Sequence, residues 1–310
     1  MSKEDVFDQV DREIVAILEN NCRLPASSVA QQLNITPAKV ASRIQNMLDR
    51  GIIKFTTQHN LRAFGYDHFA VVQLTIQGGF RQEVAARIAA VENVIIAVEA
   101  LGAPHIFAYA VARSPETLRH VIFSDLAAIP GIICCEATSV VDTVRFATNI
   151  ASLEQHGHLW IPSSGDEMDD MIIAALQSDA RTGNAEIARQ LGTSEASVRQ
   201  RIRKMTNDNR IRFGIITEQR FLTVNAILLR ICVAPAQLKA ITETLSHWLP
   251  WIMVTEGRYQ IVAALHGTDI LEVNTLLLEK IETLPGIIRT NAQLLLQIFK
   301  HNYNCIVLPD

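Results

Sequence analysis

The chain has 310 residues, 49% of them hydrophobic and 19% charged, and this composition excludes an intrinsically disordered protein. The length exceeds that of an average domain, so two or more domains are expected. The formal net charge is −4. Any contact with nucleic acid must therefore come from a local basic surface and not from the chain as a whole.

No apolar run is long enough to span a bilayer, and Met1–Asp5 lacks the apolar stretch of a signal peptide. We therefore expect a soluble, cytoplasmic protein. The five cysteines are odd in number and form no Cys-x-x-Cys pair, which predicts reduced structural thiols and no metal cluster. Cys134 and Cys135 lie together in an apolar run, which predicts that they belong to a strand core.

An internal repeat organises the chain. Val10–Phe55 aligns without gaps to Met168–Phe213, and 15 of the 46 positions are identical. Most of these positions have the spacing of buried residues in three short helices. The match indicates a duplication, since similar composition alone does not produce such spacing.

Each copy begins with a predicted helix-turn-helix. In the first copy, helices are predicted near Asp11–Asn20, Ala26–Leu33 and Pro37–Arg50, with a tight turn before the third. Thr36 caps the third helix, and Pro37 occupies its first position, where a missing N–H costs nothing. Two short helices joined by a tight turn and braced by a first helix are typical of this motif.

The matching third helix of the second copy, Thr193–Met205, is amphipathic and basic. Val198, Ile202 and Met205 recur at the spacing of one buried helix face. Residues 181–212 contain eight basic and three acidic side chains, a local charge of +5 in a chain whose total is −4. Such a surface is typical of a DNA-binding helix, although a solvated surface helix is the alternative.

The region after each helix-turn-helix has the order β-α-β-β-α-β, which predicts a ferredoxin-like sandwich. In the first copy the elements are predicted at Phe69–Ile76, Arg81–Val91, Val94–Leu101, Ile106–Ala112, Pro115–Ile129 and Ile132–Val144. In the second copy they are predicted at Ala226–Val233, Leu238–Trp248, Ile252–Glu256, Gln260–Leu265, Ile270–Leu284 and Ile287–Phe299.

The predicted fold is therefore α+β, with two tandem copies of a winged-helix-like helix-turn-helix domain and a sandwich. The helix-turn-helix domains are placed at 1–65 and 167–223, the sandwiches at 66–150 and 224–310, and a linker at 151–166. His156 and His158 in the linker have a spacing that could ligate a metal ion. No further ligand cluster lies nearby in the sequence, so no metal site is predicted.

Several short motifs lie along each copy, and three of them occur in both. In the first copy they are Asp11-x-x-Ile14, Val40-x-x-Arg43-Ile44, Gly51-Ile-Ile, Pro130-Gly131 and Thr138. In the second copy they are Asp169-x-x-Ile172, Val198-x-x-Arg201-Ile202, Glu256-Gly257-x-Tyr259 and Pro285-Gly286. Their order and spacing resemble the Lrp/AsnC (feast/famine) family of transcriptional regulators. The resemblance covers nearly the whole chain, twice over.

The resemblance implies a transcription factor that binds double-stranded DNA through the helix-turn-helix domains and dimerises through the sandwiches. It also implies a small-molecule effector, often an amino acid, in clefts between the sandwiches. Family members usually carry one copy per chain and pair as dimers. Two copies in one chain can pair internally as a pseudo-dimer, which is our hypothesis, or exchange halves between chains. A homo-oligomer, a dimer or larger, is expected.

The resemblance further implies that the third helix of each helix-turn-helix lies in the major groove. The side chains expected to contact DNA are Lys39, Ser42, Arg43, Asn46, Ser197, Arg199, Gln200, Arg203 and Lys204. Arginine and glutamine suit bidentate contacts with guanine and adenine edges. Because the second copy is richer in arginine, its half-site is expected to contribute more affinity. For Arg43 and the matching Arg201, an ion pair within the domain is an equally open alternative.

In the family the effector lies near the central hairpin of the sandwich and the turn before its last strand. The matching positions are Leu101, Gly102, Ala103, His105, Thr138, Glu256, Gly257, Arg258, Tyr259 and Gln293. Gln260 stands where many members have an aspartate, and Gln293 stands where the first copy has Thr138. The two clefts are therefore predicted to differ chemically. The alternative is that these positions serve only the hairpins.

Sirohaem decarboxylases supply the competing prediction, since they resemble this family in fold and can carry both copies in one chain. Their likeness depends on a His-x-Tyr-Asn-Leu-Trp-type run, of which Pro104–Tyr109 and Arg258–Ala263 retain only His105. No catalytic Ser/His/Asp, Cys/His or paired-carboxylate set is recognisable elsewhere. We therefore predict no enzymatic activity, no catalytic residue and no cofactor. A third alternative is a sensor that has lost DNA binding and acts through protein contacts.

Overall fold

Two modules of the same construction follow each other along the chain. The computed structural model describes residues 7–78, 81–146, 150–151, 163–218, 225–267 and 269–307. Most of the predicted linker, including His156 and His158, lies outside the described residues.

The first module contains a helix-turn-helix unit and a βαββαβ unit. Its elements are α1 (Gln9–Asn20), α2 (Ala26–Leu33), α3 (Pro37–Asp49), β1 (Ile53–Asn60), β2 (His68–Ile76), α4 (Arg81–Ala90), β3 (Val94–Ala100), β4 (Ile106–Ala112), α5 (Pro115–His120), β5 (Ile132–Phe146) and β6 (Ile150–Ala151).

The second module repeats this order. Its elements are α6 (Glu167–Ser178), α7 (Asn184–Leu191), α8 (Glu195–Asn207), β7 (Ile211–Glu218), β8 (Asn225–Val233), α9 (Leu238–Ser246), β9 (Trp251–Thr255), β10 (Ile261–Gly267), α10 (Ile270–Thr275), β11 (Ile287–His301) and β12 (Cys305–Ile306).

Local sequence signals set the turn and the start of the third helix in each helix-turn-helix. Asn34 and Gly192 end α2 and α7 in the left-handed conformation, with φ of 53° and 65°, which redirects the chain within one residue. Thr36 and Ser194 then cap α3 and α8, because each hydroxyl accepts a backbone hydrogen bond from the first turn. The predicted turn positions and caps are confirmed.

Each βαββαβ unit forms a four-stranded antiparallel sheet, with the orders β3-β4-β2-β5 and β9-β10-β8-β11. This is the predicted ferredoxin-like arrangement. The second helix of each unit differs from prediction in length and type. α5 and α10 continue as π-helical turns at Val121–Leu126 and Leu276–Ile281, so the α-helical part of each is short.

The two sheets join at their edges into a closed eight-stranded barrel. β5 pairs with β9 along one seam, where Val140 lies opposite Thr255. β11 pairs with β3 along the other seam, where Leu295 lies opposite Ala100. These residues occupy matching positions in the two modules, so the seams are related by a pseudo-twofold axis. The barrel interior is apolar and contains the buried side chains of Val71, Phe107, Tyr109, Leu228 and Met253.

A second sheet, ordered β12-β1-β7-β6, joins the two helix-turn-helix units. β1 and β7 run antiparallel, from Ile53 opposite Thr217 to His59 opposite Ile211. The short strands β12 and β6 add in parallel to β1 and β7. The two modules therefore pair with each other within one chain. The return of Cys305–Ile306 to this sheet was not predicted, because a two-residue strand carries no periodic signal.

The cysteines depart from prediction in their burial. All five are free, but Cys134 is exposed and Cys135 is only partly buried, so their predicted placement in a strand core is wrong. The reason lies in the pairing of β5. Its segment Ile132–Ser139 pairs with β2 alone, and β9 covers the other edge only from Val140 onward.

Candidate DNA interface and effector cavity

α8 has the two faces that the sequence predicted. Val198, Ile202 and Met205 are buried against the rest of the unit. The opposite face exposes Arg199, Gln200, Arg203 and Lys204, and Ser197 is partly exposed. Arg199 also forms an ion pair with Glu195 one turn earlier on the same exposed surface. Such an exposed pair contributes little to stability, so the guanidinium can exchange its partner at low cost.

α3 exposes a less charged surface. Lys39, Ser42 and Asn46 are exposed, as predicted for side chains that reach a ligand. The four exposed positions of α8 correspond by the repeat to Ala41, Ser42, Gln45 and Asn46. Three cations on α8 are therefore matched by neutral residues on α3. Lys39 is the one cation among the expected contacts on this helix besides Arg43.

Arg43 and Arg201 form ion pairs within their own units. The pairs join Arg43 to Asp8 and Asp11 at 2.8 Å, and Arg201 to Asp166 and Asp169 at 2.8 and 2.7 Å. The hydrogen bond from Arg201 holds the pKa of Asp166 below its ordinary value. The structure therefore adopts the ion-pair alternative for both arginines. Arg43 links α3 to the start of α1, and its contact with DNA stays a prediction.

The local charge of +5 overstates the charge that faces outward near α8. Four of the eight basic residues at 181–212 are engaged within the fold: besides Arg201, these are Arg181, Arg210 and Arg212. Arg210 donates to a backbone carbonyl and Arg212 to the side chain of Gln58 in the other module. The sequence could not separate these arginines from Arg203 and Lys204, because it does not show which of them meet partners elsewhere in the fold.

Arg23 and Arg181 make a reciprocal contact between the two helix-turn-helix units. Arg23 donates from Nε to the carbonyl of Ala180 at 2.8 Å, and its Cζ lies 3.9 Å from the ring centroid of Phe213. Arg181 donates from Nε to the carbonyl of Cys22 at 2.8 Å, and its Cζ lies 3.8 Å from the ring centroid of Phe55. We name these two arginines and two phenylalanines the reciprocal clamp. All four are identical positions of the repeat, which was the signal available in the sequence.

A cavity of about 630 Å³ opens between the two modules at one end of the barrel. β5 of the first module forms one wall and the β9–β10 hairpin of the second forms the other. Its lining residues are Val71, Gln73, Glu136, Ala137, Thr138, Ser139, Arg230, Thr255, Glu256, Gly257, Arg258, Tyr259, Val262 and Asn291. The backbone N–H of Glu256 donates to the carbonyl of Ser139 at 3.2 Å and ties the two walls together.

The structure brings together half of the residues expected at the effector site. Those that line the cavity are Thr138, Glu256, Gly257, Arg258 and Tyr259. Those expected from the sequence that lie outside its lining are Leu101, Gly102, Ala103, His105 and Gln293. Prediction had placed both sets at equivalent sites. They separate because one set belongs to, or lies against, the β3–β4 hairpin, which faces the β9–β10 hairpin across the barrel axis.

His105 is engaged in the fold and does not line the cavity. Its Nδ1 accepts a hydrogen bond from the backbone N–H of Ile76 at 3.0 Å, and burial lowers its pKa. His105 is the one residue of the decarboxylase-type run that this chain retains. Its bond to the backbone gives it a structural role in the β2–β4 region.

Arg230 is the residue of the cavity that the sequence analysis missed. It projects from β8, an otherwise apolar strand, and that isolated charge was the signal available. Its guanidinium donates to Gln73 and, at 2.5 and 2.9 Å, to the amide oxygens of Asn291 and Gln293. Its Cζ also lies 5.3 Å from the ring centroid of Tyr259. Burial lowers the pKa of Arg230 from its ordinary value.

Two family models match the helix-turn-helix units. Residues 7–54 match a winged helix-turn-helix DNA-binding model, and residues 166–206 match an AsnC-type helix-turn-helix domain. An uncharacterised HTH-type transcriptional regulator of Pyrococcus furiosus is 30% identical over 141 residues, which is 45% of this chain and 95% of the relative. The chain belongs to the Lrp/AsnC family of transcriptional regulators. Its match to one module at a time fits the duplication.

A second relative is also named a transcriptional regulator. The HTH-type transcriptional regulator LysM of Saccharolobus solfataricus is 28% identical over 135 residues, 43% of this chain and 94% of the relative. The relatives are named as regulators, and this Lrp/AsnC chain is a DNA-binding regulator.

A solved structure matches both modules together. The siroheme decarboxylase NirDL superposes with a TM-score of 0.65 and covers 95% of this chain and 93% of its own, at 16% identity. At this identity the likeness shows the fold alone: two Lrp/AsnC-type modules paired within one chain.

The described residues contain no group of three or more His, Cys, Asp or Glu side chains placed to hold a metal ion. Among the helices that the structure describes, none combines the length and apolarity needed to cross a bilayer.

Proposed function

We propose that the chain acts as a pseudo-dimeric transcriptional regulator that binds an imperfect palindrome in double-stranded DNA through α3 and α8. Residues 1–65 and 167–223 contact the DNA in this proposal, and 66–150 and 224–310 hold the modules together and bind a small-molecule effector. The observation that carries the proposal is the reciprocal pairing of the two helix-turn-helix units. The protein acts in the cytoplasm.

The pairing supports DNA recognition because it relates the third helices by a pseudo-twofold axis. Helix-turn-helix dimers bind palindromic sites for the same reason, since the symmetry of the protein matches that of the two half-sites. β1 and β7 pair over seven positions, and the reciprocal clamp locks the units at a second place. Recognition helices held at a fixed separation select sites of fixed spacing.

The two third helices would make unequal contributions. On α8 the expected contacts are Ser197, Arg199, Gln200, Arg203 and Lys204, and on α3 they are Lys39, Ser42 and Asn46. The arginines suit guanine edges, and the cations neutralise phosphates. The half-site under α8 is therefore the tighter one, and the operator departs from perfect symmetry.

The cavity between the modules supports control by an effector. A volume of about 630 Å³ lies within the range of small-molecule sites. Its walls come from different modules, so a ligand that contacts both can alter how the modules sit on each other and thus the spacing of the third helices. An amino acid is the first candidate on family grounds. Further association of chains into a homo-oligomer is part of the proposal.

Selection of bound fragments from the source genome tests this function. The expected outcome is a motif of two unequal half-sites, with an affinity that falls as salt concentration rises, because bound phosphates release counterions. Binding to DNA fragments without sequence preference would contradict the proposal. Failure to bind any DNA would also contradict it. The second result would favour a sensor that acts through protein contacts.

A further inference from the structure

The chain leaves the barrel after β11 and crosses directly to the sheet that joins the helix-turn-helix units. Asn302 donates its backbone N–H to the carbonyl of Ile95 at 2.7 Å, so this residue is still held by the barrel. Three residues later, Cys305 lies opposite His59 in β1. We name residues 302–307 the junction segment, because they connect the barrel to the helix-turn-helix sheet.

The junction segment is buried like part of the core. Five consecutive side chains, at 303–307, are each 1% exposed or less. Ile306 and Val307 belong to one apolar cluster with Ile172 and Leu176 of α6. The segment therefore shares the core of the second helix-turn-helix unit, while its backbone pairs with the strand of the first.

Asn304 forms the polar contacts at the centre of this junction. Its Nδ2 donates to the hydroxyl of Thr56 and to the carbonyl of Thr57, both at 2.6 Å, and its own carbonyl accepts from the backbone N–H of His59 at 2.6 Å. The Thr56 hydroxyl in turn donates to the carbonyl of Gln177 in α6 at 3.1 Å. Burial lowers the pKa of His59 to about 3, so its ring is neutral and its Nε2 accepts from the side-chain amide of Gln177 at 2.6 Å. Asn304 is therefore linked through β1 to the other helix-turn-helix unit.

Tyr303 links β1 to β7. Its carbonyl accepts from Nε2 of Gln58 at 3.1 Å, and Oε1 of that glutamine accepts from Arg212 of β7 at 2.6 Å. The Tyr303 hydroxyl accepts from Nζ of Lys54 at 3.1 Å. Burial raises the pKa of Tyr303 to about 12, so this hydroxyl is uncharged at neutral pH. The bonds of Tyr303 therefore cross from one strand to the other.

These contacts surround the pseudo-twofold axis. Thr56 lies opposite Gly214, the residue equivalent to it in the repeat, so the axis passes between the two. Only three residues separate α3 from β1, and three separate α8 from β7. The angle between the two strands therefore sets the angle between the two third helices. A pair of strands alone varies widely in twist, so contacts that cross the strands near the axis restrict it.

We propose that Tyr303 and Asn304 are positioning residues that fix the half-site spacing the chain accepts in DNA. Both are buried, and they act through β1 and β7 on the third helices. The inference rests on the proposed function and names what selects the geometry of the operator. Without these bonds each third helix keeps its own base contacts, but the angle between the helices varies and sites of other spacings become acceptable.

Operators that differ only in the number of base pairs between the half-sites test the proposal, with the full chain and fluorescence anisotropy. One base pair turns a half-site by about one tenth of a helical turn, so the unmodified chain should lose about tenfold in affinity for each pair added or removed. Asn304→Ala should lose less than about threefold per pair, the residue of DNA deformation. Its affinity for a fragment with only the half-site under α8 should equal that of the unmodified chain.

Two further variants sharpen this comparison. Tyr303→Phe removes only the hydroxyl that accepts from Lys54, and it should flatten the dependence on spacing to a smaller degree. Asn302→Ala is the matched control, because Asn302 bonds to the barrel through its backbone N–H, and its dependence on spacing should equal that of the unmodified chain. If Asn304→Ala fails to fold, an unchanged dependence on spacing in Tyr303→Phe overturns the proposal.

An equal loss of affinity at every spacing in Asn304→Ala would also overturn the proposal, because it would show a role in stability alone. The same holds if the unmodified chain binds all spacings equally, since its third helices would then not be held at one angle. Specific DNA binding that persists in either case leaves the proposed function standing. Failure of the unmodified chain to bind any operator specifically refutes the proposed function itself.

Discussion

The contact between the helix-turn-helix units and the hairpin-bearing end of the barrel differ in how closely their two halves match. At the helix-turn-helix contact, Arg23 and Arg181 make the same hydrogen bond and the same ring contact in both directions. In the barrel, Thr138 lines a cavity beside the β9–β10 hairpin, while the equivalent Gln293 donates to carbonyls of the β3–β4 hairpin. One interface has kept its pseudo-symmetry and the other has lost it.

The difference shows where the two copies have diverged. Arg23 and Arg181 are separate positions of one chain, so each could have changed without the other, yet both keep the same two contacts. Thr138 and Gln293 lie against different hairpins, so the side chain at one position does not restrict the size of the other. The two seams of the barrel keep matching pairs, so the strand pairing is retained where these side chains differ.

The largest expected effect is on stability and tests the symmetry of the reciprocal clamp. Arg23→Ala and Arg181→Ala should each lower the free energy of unfolding by about 2–4 kcal/mol, because each removes a cation–π contact and strands a carbonyl. The two losses should be equal to within about 0.5 kcal/mol, a typical additivity error. Urea denaturation measures both.

Arg87→Ala is the control for that comparison, since its ion pair with Glu83 is exposed and contributes little. A loss from Arg181→Ala with none from Arg23→Ala would contradict the symmetric contact.

The next effect is on DNA affinity and tests the asymmetry of the third helices. Arg199→Ala should weaken binding by about tenfold, the lower part of the range of about 1–3 kcal/mol for one base contact, and Lys39→Ala by about threefold. Fluorescence anisotropy with the selected operator measures both. Arg189→Ala on α7, where the arginine is paired with Glu186, is the control. Equal losses from Arg199→Ala and Lys39→Ala would remove the asymmetry.

The smallest effect concerns a contact that two different cations make. Lys300 donates from Nζ to the carbonyl of Val91 at 2.7 Å, and the equivalent Arg145 donates to the carbonyl of Ser246. Burial lowers the pKa of Lys300 from 10.5 to about 8. The unfolded chain therefore binds more protons between these values, and the stability that Lys300 contributes rises with pH across that window.

Chemical denaturation from pH 7 to pH 10.5 checks this sign. The free energy of unfolding of the unmodified chain should rise relative to that of Lys300→Met as pH increases through 8. Arg145→Met should show no such trend against the unmodified chain, because arginine stays protonated throughout. If the difference in free energy of unfolding between the unmodified chain and Lys300→Met does not change with pH, burial does not lower the pKa of Lys300.

Much of the fold followed from local signals. Thr36, Ser194 and Pro37 marked the starts of the third helices, and the gapless repeat revealed two modules before any contact was known. Apolar alternation and Pro-Gly breaks located the sandwich strands to within a few residues. These features depend on neighbours in the sequence, and so the sequence contains them.

The candidate sites were predictable only in part. The exposed residues of α8 followed from helical periodicity, whereas the ion pair of Arg43 with Asp8 and Asp11 stood as one of two open alternatives. Half of the expected effector positions line the cavity, and Arg230 was missed because its partners lie in other strands.

By itself, the sequence determined the duplication, the element order, the family resemblance and the unequal charge of the two third helices, since each is a pattern along the chain. Tertiary structure alone decided that β1 pairs with β7, that Arg23 and Arg181 clamp opposite units, and that Thr138 lines a cavity while Gln293 bonds to the β3–β4 hairpin. The physical reason is distance along the chain: these contacts join residues of different modules, and no local pattern states which residues will meet.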